Sequence, residues 1–226
     1  GCNRIAQIFT TDSGEKVCEL QDPAVPGPGD LYIRSVCFSP DGKLLATGAE
    51  DRQIRIWDIA EQKITMLLTG HKQEIYSLEF SQDGQILASG SGDKTVRIWE
   101  VASGKELHVL HTSPGPNYGP GVTTVTLSPD GGLVAAGALD TFVRLWDTKT
   151  GKLRCRLKGH RDSIYSVCFM RDGQSLVSGS LDKTLKLWDL APILQSADSP
   201  DDEVTNASLC KATFTGHKVR MNGYAN

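Results

Sequence analysis

The chain has 226 residues, with 24 lysines and arginines against 27 aspartates and glutamates, for a formal net charge of −3. That length supplies one sizeable core, and the near-neutral charge lacks the basic field that direct phosphate binding favours. No run of 18 apolar residues crosses a membrane. The six cysteines (Cys2, Cys18, Cys37, Cys155, Cys168, Cys210) show no zinc-site spacing and read as reduced, buried thiols rather than a disulfide framework.

The chain opens Gly1-Cys2-Asn3, without Met or a secretory signal pattern, and reads as the middle of something longer. Ile5–Phe9 and Lys16–Leu20 read as the last two strands of a sheet. Asp22–Asp30 (DPAVPGPGD) is a loop, because Pro and Gly break regular structure. Four similar stretches follow. The first runs through Ile33–Phe38, Leu44–Gly48, Ile54–Asp58 and Lys63–Leu68. The second, opened by Gly70-His71, runs through Ile75–Phe80, Ile86–Gly90, Val96–Glu100 and Glu106–His111. A second loop, Ser113–Gly121 (SPGPNYGPG), precedes Val122–Leu127, Leu133–Gly137, Val143–Asp147 and Leu153–Leu157. The last stretch comprises Ile164–Phe169, Leu176–Gly179, Leu185–Asp189 and a late strand near Ser208–Phe214, delayed by an expected mobile loop over Ala191–Val204. Short alternating segments separated by turn residues indicate antiparallel strands.

Each stretch ends its third strand with a Trp-acidic pair: Trp57-Asp58, Trp99-Glu100, Trp146-Asp147 and Trp188-Asp189. The spacings are 42, 47 and 42 residues. A four-strand unit at this period is the pattern of a β-propeller. The expected fold is therefore all-β: four complete blades (31–68, 75–111, 122–158, 164–215), a partial first blade near 1–20, and a partial terminal blade opened by Gly216-His217. Residues 1–217 read as a truncated propeller and 218–226 as an aberrant tail without strand alternation. An arc of this kind would expose an apolar face at each end, with low solubility, self-association or completion by another chain as the expected result.

His71, Ser89, Asp93 and Trp99 recur with identical offsets as His160, Ser178, Asp182 and Trp188. A His–Ser–Asp set suggests a nucleophile, but a nucleophile sits on one exposed elbow. Here the set repeats, each time beside a Trp. The expected geometry is a structural chain in which Asp holds His, His reaches Ser, and Ser reaches the indole N–H. The other blades keep Asp51 with Trp57, where Thr47 stands for Ser, and Asp140 with Trp146, where Ala136 does. Neither has the His. Loss of Asp93 or Asp182 is therefore expected to cost more than loss of Asp51 or Asp140, because more partners are orphaned. No acid–base pair, metal cluster or phosphate loop stands outside the repeat, so neither catalysis nor a cofactor is expected.

Tyr32, Tyr76 and Tyr165 lie near the starts of the inner strands, and Thr123 interrupts the series. A Tyr at a channel rim suits an interface anchor, and packing between blades would use it equally well. With Arg34 and the turn-flanking Glu50, Arg52, Lys94 and Lys183, these tyrosines form the expected partner-binding set. Arg55, Arg97, Arg144 and Lys186, each two residues before a Trp, are expected to face solvent between blades or, alternatively, to make salt bridges, of which an isolated exposed pair would add little.

The Trp-Asp, Gly-His and Ser-Gly-Ser-x-Asp-Lys-Thr patterns resemble the WD40-repeat family over nearly the whole chain. Several strings are similar to its fungal general corepressor branch, the Tup/Groucho type: the run from Leu31 to Lys43, Ala46–Arg52, Ile54–Ile59 and Asp172–Asp182. This resemblance implies a seven-bladed propeller in a nuclear corepressor that binds DNA-bound repressors. It further implies upstream segments that join a tetratricopeptide-repeat co-corepressor and histones. Tyr32 and Tyr165 match aromatic positions of that family's repressor-binding face. Direct nucleic-acid or membrane contact is not implied. The alternatives are another WD40 scaffold, in ubiquitin ligation, signalling or RNA processing, or a non-functional truncated product.

Overall fold

The computed structural model describes residues 5–24, 32–113, 121–195 and 207–215. The loops expected within 25–31 and 114–120, most of the segment after Gln195, and the terminal blade and tail expected from Gly216 lie outside these residues. Blade one is the pair β1 (Ile5–Phe9) and β2 (Lys16–Gln21). Blade two holds β3 (Ile33–Phe38), β4 (Leu44–Ala49), β5 (Ile54–Asp58) and β6 (Lys63–Leu68). Blade three holds β7 (Ile75–Phe80), β8 (Ile86–Ser91), β9 (Thr95–Glu100) and β10 (Glu106–His111). Blade four holds β11 (Val122–Leu127), β12 (Leu133–Ala138), β13 (Phe142–Asp147) and β14 (Leu153–Lys158). Blade five holds β15 (Ile164–Phe169), β16 (Ser175–Ser180), β17 (Leu185–Asp189) and β18 (Cys210–Phe214). Each four-stranded sheet is an antiparallel meander. The first strands β3, β7, β11 and β15 stand side by side as the inner wall of a partial propeller.

Turn chemistry ends each inner strand. Gly42, Gly84, Gly131 and Gly173 take φ between 64° and 71°, which glycine adopts without a Cβ penalty. Beside three of them a serine hydroxyl donates to the turn aspartate: Ser39 to Asp41 at 2.7 Å, Ser81 to Asp83 at 2.5 Å, and Ser128 to Asp130 at 2.5 Å. In blade five Met170 replaces the serine, and Asp172 instead accepts from the Gln174 and Ser175 amides at 2.8 and 2.9 Å.

Blades dock through a glycine notch. A Cβ on Gly48 would come 2.6 Å from Ile75, one on Gly90 2.6 Å from Val122, and one on Gly137 2.6 Å from Ile164. Each β-branched side chain opens the next inner strand, so the second strand of one blade and the first of the next approach as closely as only Gly permits. Four clusters of buried side chains fill the spaces. The four tryptophans anchor them, none more than 3% exposed. Truncating a buried Trp typically costs about 3–5 kcal/mol. The side by which later inner strands meet a preceding blade is open on β3: Phe38 is 51% exposed, whereas its counterpart Phe80 is 6% exposed.

Two expectations are corrected. The loop expected over Ala191–Val204 begins with a short helix, α1 (Ala191–Gln195). Asp189 accepts the Ala191 N–H at 3.0 Å, and Ile193 drops into the core of blades four and five. The described cysteines are free but not uniformly buried, and Cys2 lies outside the described residues. Cys18 and Cys155 are interior, Cys37 and Cys210 partly covered, and Cys168 exposed. Cys37 and Cys168 sit at the same position of their inner strands, but Cys37 packs against the core of blades two and three whereas Cys168 is exposed.

Candidate functional site

At one end of the arc the link into each blade meets the turn between its second and third strands. The Glu50, Gly92, Leu139 and Leu181 amides donate to the carbonyls of Tyr32, Glu74, Gly121 and Ser163 at 2.9–3.2 Å. The four turn aspartates act alike on their own turns. Asp51, Asp93, Asp140 and Asp182 accept the amides of Gln53, Thr95, Phe142 and Thr184 at 3.1, 3.1, 3.4 and 2.9 Å. This closure of the turn holds the intervening Arg52, Lys94, Thr141 and Lys183 at φ between 68° and 75°. The left-handed region costs a non-glycine residue about 1 kcal/mol. The turns persist because the aspartates over-determine them.

In blades three and five the aspartate also holds a histidine. His71 Nδ1 lies 2.9 Å from Asp93 and Nε2 2.7 Å from Ser89 Oγ, while Trp99 Nε1 donates to the same Oγ at 2.9 Å. The second set repeats this: His160 to Asp182 at 2.9 Å, His160 to Ser178 at 2.7 Å, and Trp188 to Ser178 at 2.8 Å. Asp93 and Asp182 further accept the amides of Lys72 and Arg161, tying the preceding link to the turn. Burial alone would raise Asp93, but hydrogen bonds from His71, Thr95 and Lys72 outweigh it and hold the carboxyl well below its ordinary value. Asp182 behaves the same way: burial is outweighed by Thr184, the Arg161 amide and His160. Ser89 and Ser178 are fully buried, so neither hydroxyl can meet a substrate. Among the described residues no His, Cys, Asp and Glu side chains gather to hold a metal ion.

The arginines expected in solvent are buried instead. Arg55, Arg97 and Arg144 are 6%, 9% and 4% exposed. Each is compensated by carboxylate. Arg55 binds Asp22 and Asp51, both at 2.7 Å. Arg97 pairs with Glu106, and Arg144 is clasped by both oxygens of Asp140. Among the described residues Lys186 has no carboxylate partner and donates to the Thr213 hydroxyl at 2.8 Å. Where a blade has no histidine, its turn Asp therefore binds the arginine four residues on. Thr47 serves for Ser in blade two, accepting from Trp57 at 3.0 Å; Ala136 offers no hydroxyl in blade four. Among the described residues Asp140 is thus the one turn aspartate that is its buried arginine's sole carboxylate, since Arg55 keeps Asp22 beside Asp51, and this alters the expected ranking of the four aspartates.

Beneath the turns the inner strands share a β-bulge. Pairing slips by one residue between Ile33 and Ser35, Ile75 and Ser77, Val122 and Thr124, and Ile164 and Ser166. The extra residues are Arg34, Tyr76, Thr123 and Tyr165. A bulge re-aims the side chain that it carries, and Tyr76 and Tyr165 stand 42% and 56% exposed. The register corrects the place of Tyr32. It lies two positions ahead of the bulge, and Arg34 is the true counterpart of Tyr76. Arg34 stacks over the Tyr32 ring at 5.2 Å and pairs with Glu50, so blade two closes its own rim. Thr123 turns inward, donating to the carbonyls of Gly137 and Ile164. Arg52 and Lys183 are exposed and Lys94 is half-buried. The structure brings Tyr165 and Lys183 together around one pocket at this end of blade five, leaves Tyr76 exposed at the equivalent place of blade three, and separates Tyr32, Arg34 and Glu50 into a self-satisfied cluster. Sequence patterning missed the bulges and the buried arginines. The Asp-x-x-x-Arg spacing in blades without His could have revealed the latter.

The sequence pattern of the WD domain, G-beta repeat family matches residues 24–58, 62–100, 104–147 and 151–189. The chain is 78% identical over 50 residues to the general transcriptional corepressor TUP1 of Saccharomyces cerevisiae, covering 22% of this chain and 7% of that protein. It is 54% identical over 125 residues to the transcriptional repressor tup12 of Schizosaccharomyces pombe, covering 55% of this chain and 20% of that protein. It is 52% identical over 79 residues to the transcriptional repressor rco-1 of Neurospora crassa, covering 35% and 13% respectively. The matched part is thus a fifth or less of each relative's own length.

Proposed function

The chain belongs to the WD40-repeat family, close to the corepressors of the fungal Tup type, and from that premise we propose that it is the protein-interaction module of a general transcriptional corepressor in the nucleus. Its partners are DNA-bound repressors and chromatin proteins, and it performs no chemistry of its own. The observation that carries this reading is the bulged rim, where Tyr76 and Tyr165 project from the inner wall, Tyr165 with Lys183 around one pocket. Tyr combines apolar area with a polar tip at little entropic cost, which suits an interface anchor. The partner inserts a short segment with an apolar anchor against the tyrosines and polar or acidic groups toward the cationic turns.

Retention of the chain on immobilised DNA carrying a bound repressor tests this. Tyr76→Ala with Tyr165→Ala should weaken retention by roughly 30-fold or more, the scale of a lost hot spot. The control Lys149→Ala, at the opposite end of blade four, should leave it unchanged. Equal retention by both variants, with unaltered melting, would sink the reading.

A further inference from the structure

The opposite mouth of the inner wall carries a carboxylate that the rim does not use. The fifth residue of each inner strand is, in order, Cys37, Glu79, Thr126 and Cys168. Three of these, Glu79, Thr126 and Cys168, line a cavity of about 120 Å³ between the ends of β7, β11 and β15. Leu127, Phe169 and Met170 supply apolar wall, and Arg171 stands at its edge. Burial pushes the Glu79 carboxyl up, opposed by the Thr126 hydroxyl and the Leu127 backbone N–H. Among the described residues Glu79 forms no ion pair, although Arg171 lines the same cavity. A carboxylate has about four acceptor sites, so two neutral donors leave capacity facing the cavity.

That combination is chemically selective. A half-buried, unpaired carboxylate in an apolar setting is costly, and a cation relieves the cost. At about 30 Å³ per water, the cavity holds roughly four waters or the stem and head of one long side chain. A primary ammonium is a compact charge with three donors on an aliphatic stem, whereas a guanidinium needs a wider planar seat. We propose that this cavity receives one lysine side chain of a partner protein, entering from the end of the wall opposite the tyrosine rim. The stem would lie along Leu127, Phe169 and Met170, and the ammonium would donate to Glu79. The inference stands apart from the tyrosine face and survives its failure.

The test titrates the full chain with n-pentylammonium, the lysine head and stem, and follows backbone amide shifts by NMR. Saturable shifts are expected at Thr126, Leu127 and Cys168, with pentan-1-ol, its neutral counterpart, at least ~10-fold weaker, as expected for loss of a charged hydrogen bond. Glu79→Gln preserves shape and should weaken pentylammonium by a similar factor. Arg171→Ala removes a like charge from the cavity lining and should tighten it. Absence of saturable shifts, equal binding of the alcohol, an unaffected Glu79→Gln variant, or weaker binding after Arg171→Ala would each overturn the proposal. The alcohol comparison uses the unmodified chain, so the result does not hang on the folding of any variant.

Discussion

Replacing the four turn aspartates one at a time by alanine separates a shared turn function from blade-specific compensation. Asp140 is the severe case. Arg144 is 5% exposed in its side chain, Asp140 is its clasp, and its Nε has no partner. Asp140→Ala leaves that guanidinium buried and uncompensated, which typically costs about 3–5 kcal/mol. Asp93→Ala loses bonds from His71 Nδ1, the Lys72 amide, and the Thr95 amide and hydroxyl. At about 0.5–1.5 kcal/mol net each, with Lys72 regaining water, the loss is roughly 2–4 kcal/mol. Asp182→Ala should match it. Asp51→Ala is mildest, because Arg55 keeps Asp22 and Gln53, and about 1–2 kcal/mol is expected. Urea unfolding, followed by fluorescence of the buried tryptophans, measures all four. A chain of this size loses about 2–4 °C of melting temperature per kcal/mol, so Asp140→Ala should melt about 10 °C low. Adding Arg144→Leu to Asp140→Ala should restore much of the loss, since it removes the orphaned charge. Equal midpoints for Asp51→Ala and Asp140→Ala, or no rescue by the second substitution, would refute the reasoning.

Gly90→Ala forces a methyl against Val122 and should destabilise by about 1–3 kcal/mol; Gly179→Ala, whose nearest neighbour is Leu185 at 3.1 Å, should cost clearly less in the same unfolding assay. Acid should unfold the chain through Asp93 and Asp182. Their folded pKa values are depressed, so their stabilisation is complete above the unfolded value near 3.9 and drains away as pH falls below it. An Asp93→Asn, Asp182→Asn variant should show a flatter acid limb in stability against pH, and an unchanged limb would discount both groups. Thiol labelling at pH 8 should modify Cys168 first among the described cysteines. Cys155 is buried, its thiol pushed up to about 12, and it should react only on unfolding; early modification by mass spectrometry would contradict the packing.

Strand positions were legible because local signals agreed. Ile33–Phe38, Ile54–Asp58 and Lys63–Leu68 begin and end where alternation and turn residues place them. The bulges were not legible, because an extra residue such as Tyr76 leaves the apolar series on either side intact. Alternation by itself also put Arg55 and Arg144 outside. It counts charge as a mark of exposure, whereas a guanidinium clasped by Asp51 and Asp22, or by Asp140, can stay inside a sheet stack. Glu79 escaped notice for the opposite reason. A single carboxylate inside an alternating strand reads as a solvent-facing position, and only three blades seen together enclose it.

The buried network and the exposed rim are parts of one device. In blade three the Lys72 amide binds Asp93 and the Gly92 amide binds Glu74, so the segment leading into β7 is fixed at two points just before its bulge. Blade five repeats both ties, through Arg161 with Asp182 and Leu181 with Ser163. These are the two blades whose bulges carry an exposed Tyr. Blade two reaches a similar result with Asp22 bridging to Arg55, but its rim is already closed by Arg34 and Glu50. In blade four the Asp140–Arg144 pair ties the turn only to β13, and its bulge carries Thr123, bonded inward. Rigid anchors lose less entropy on binding, so the full histidine network stands where pre-organisation would matter. Loosening it by His71→Ala should therefore weaken partner binding through Tyr76 even at temperatures where the blade stays folded.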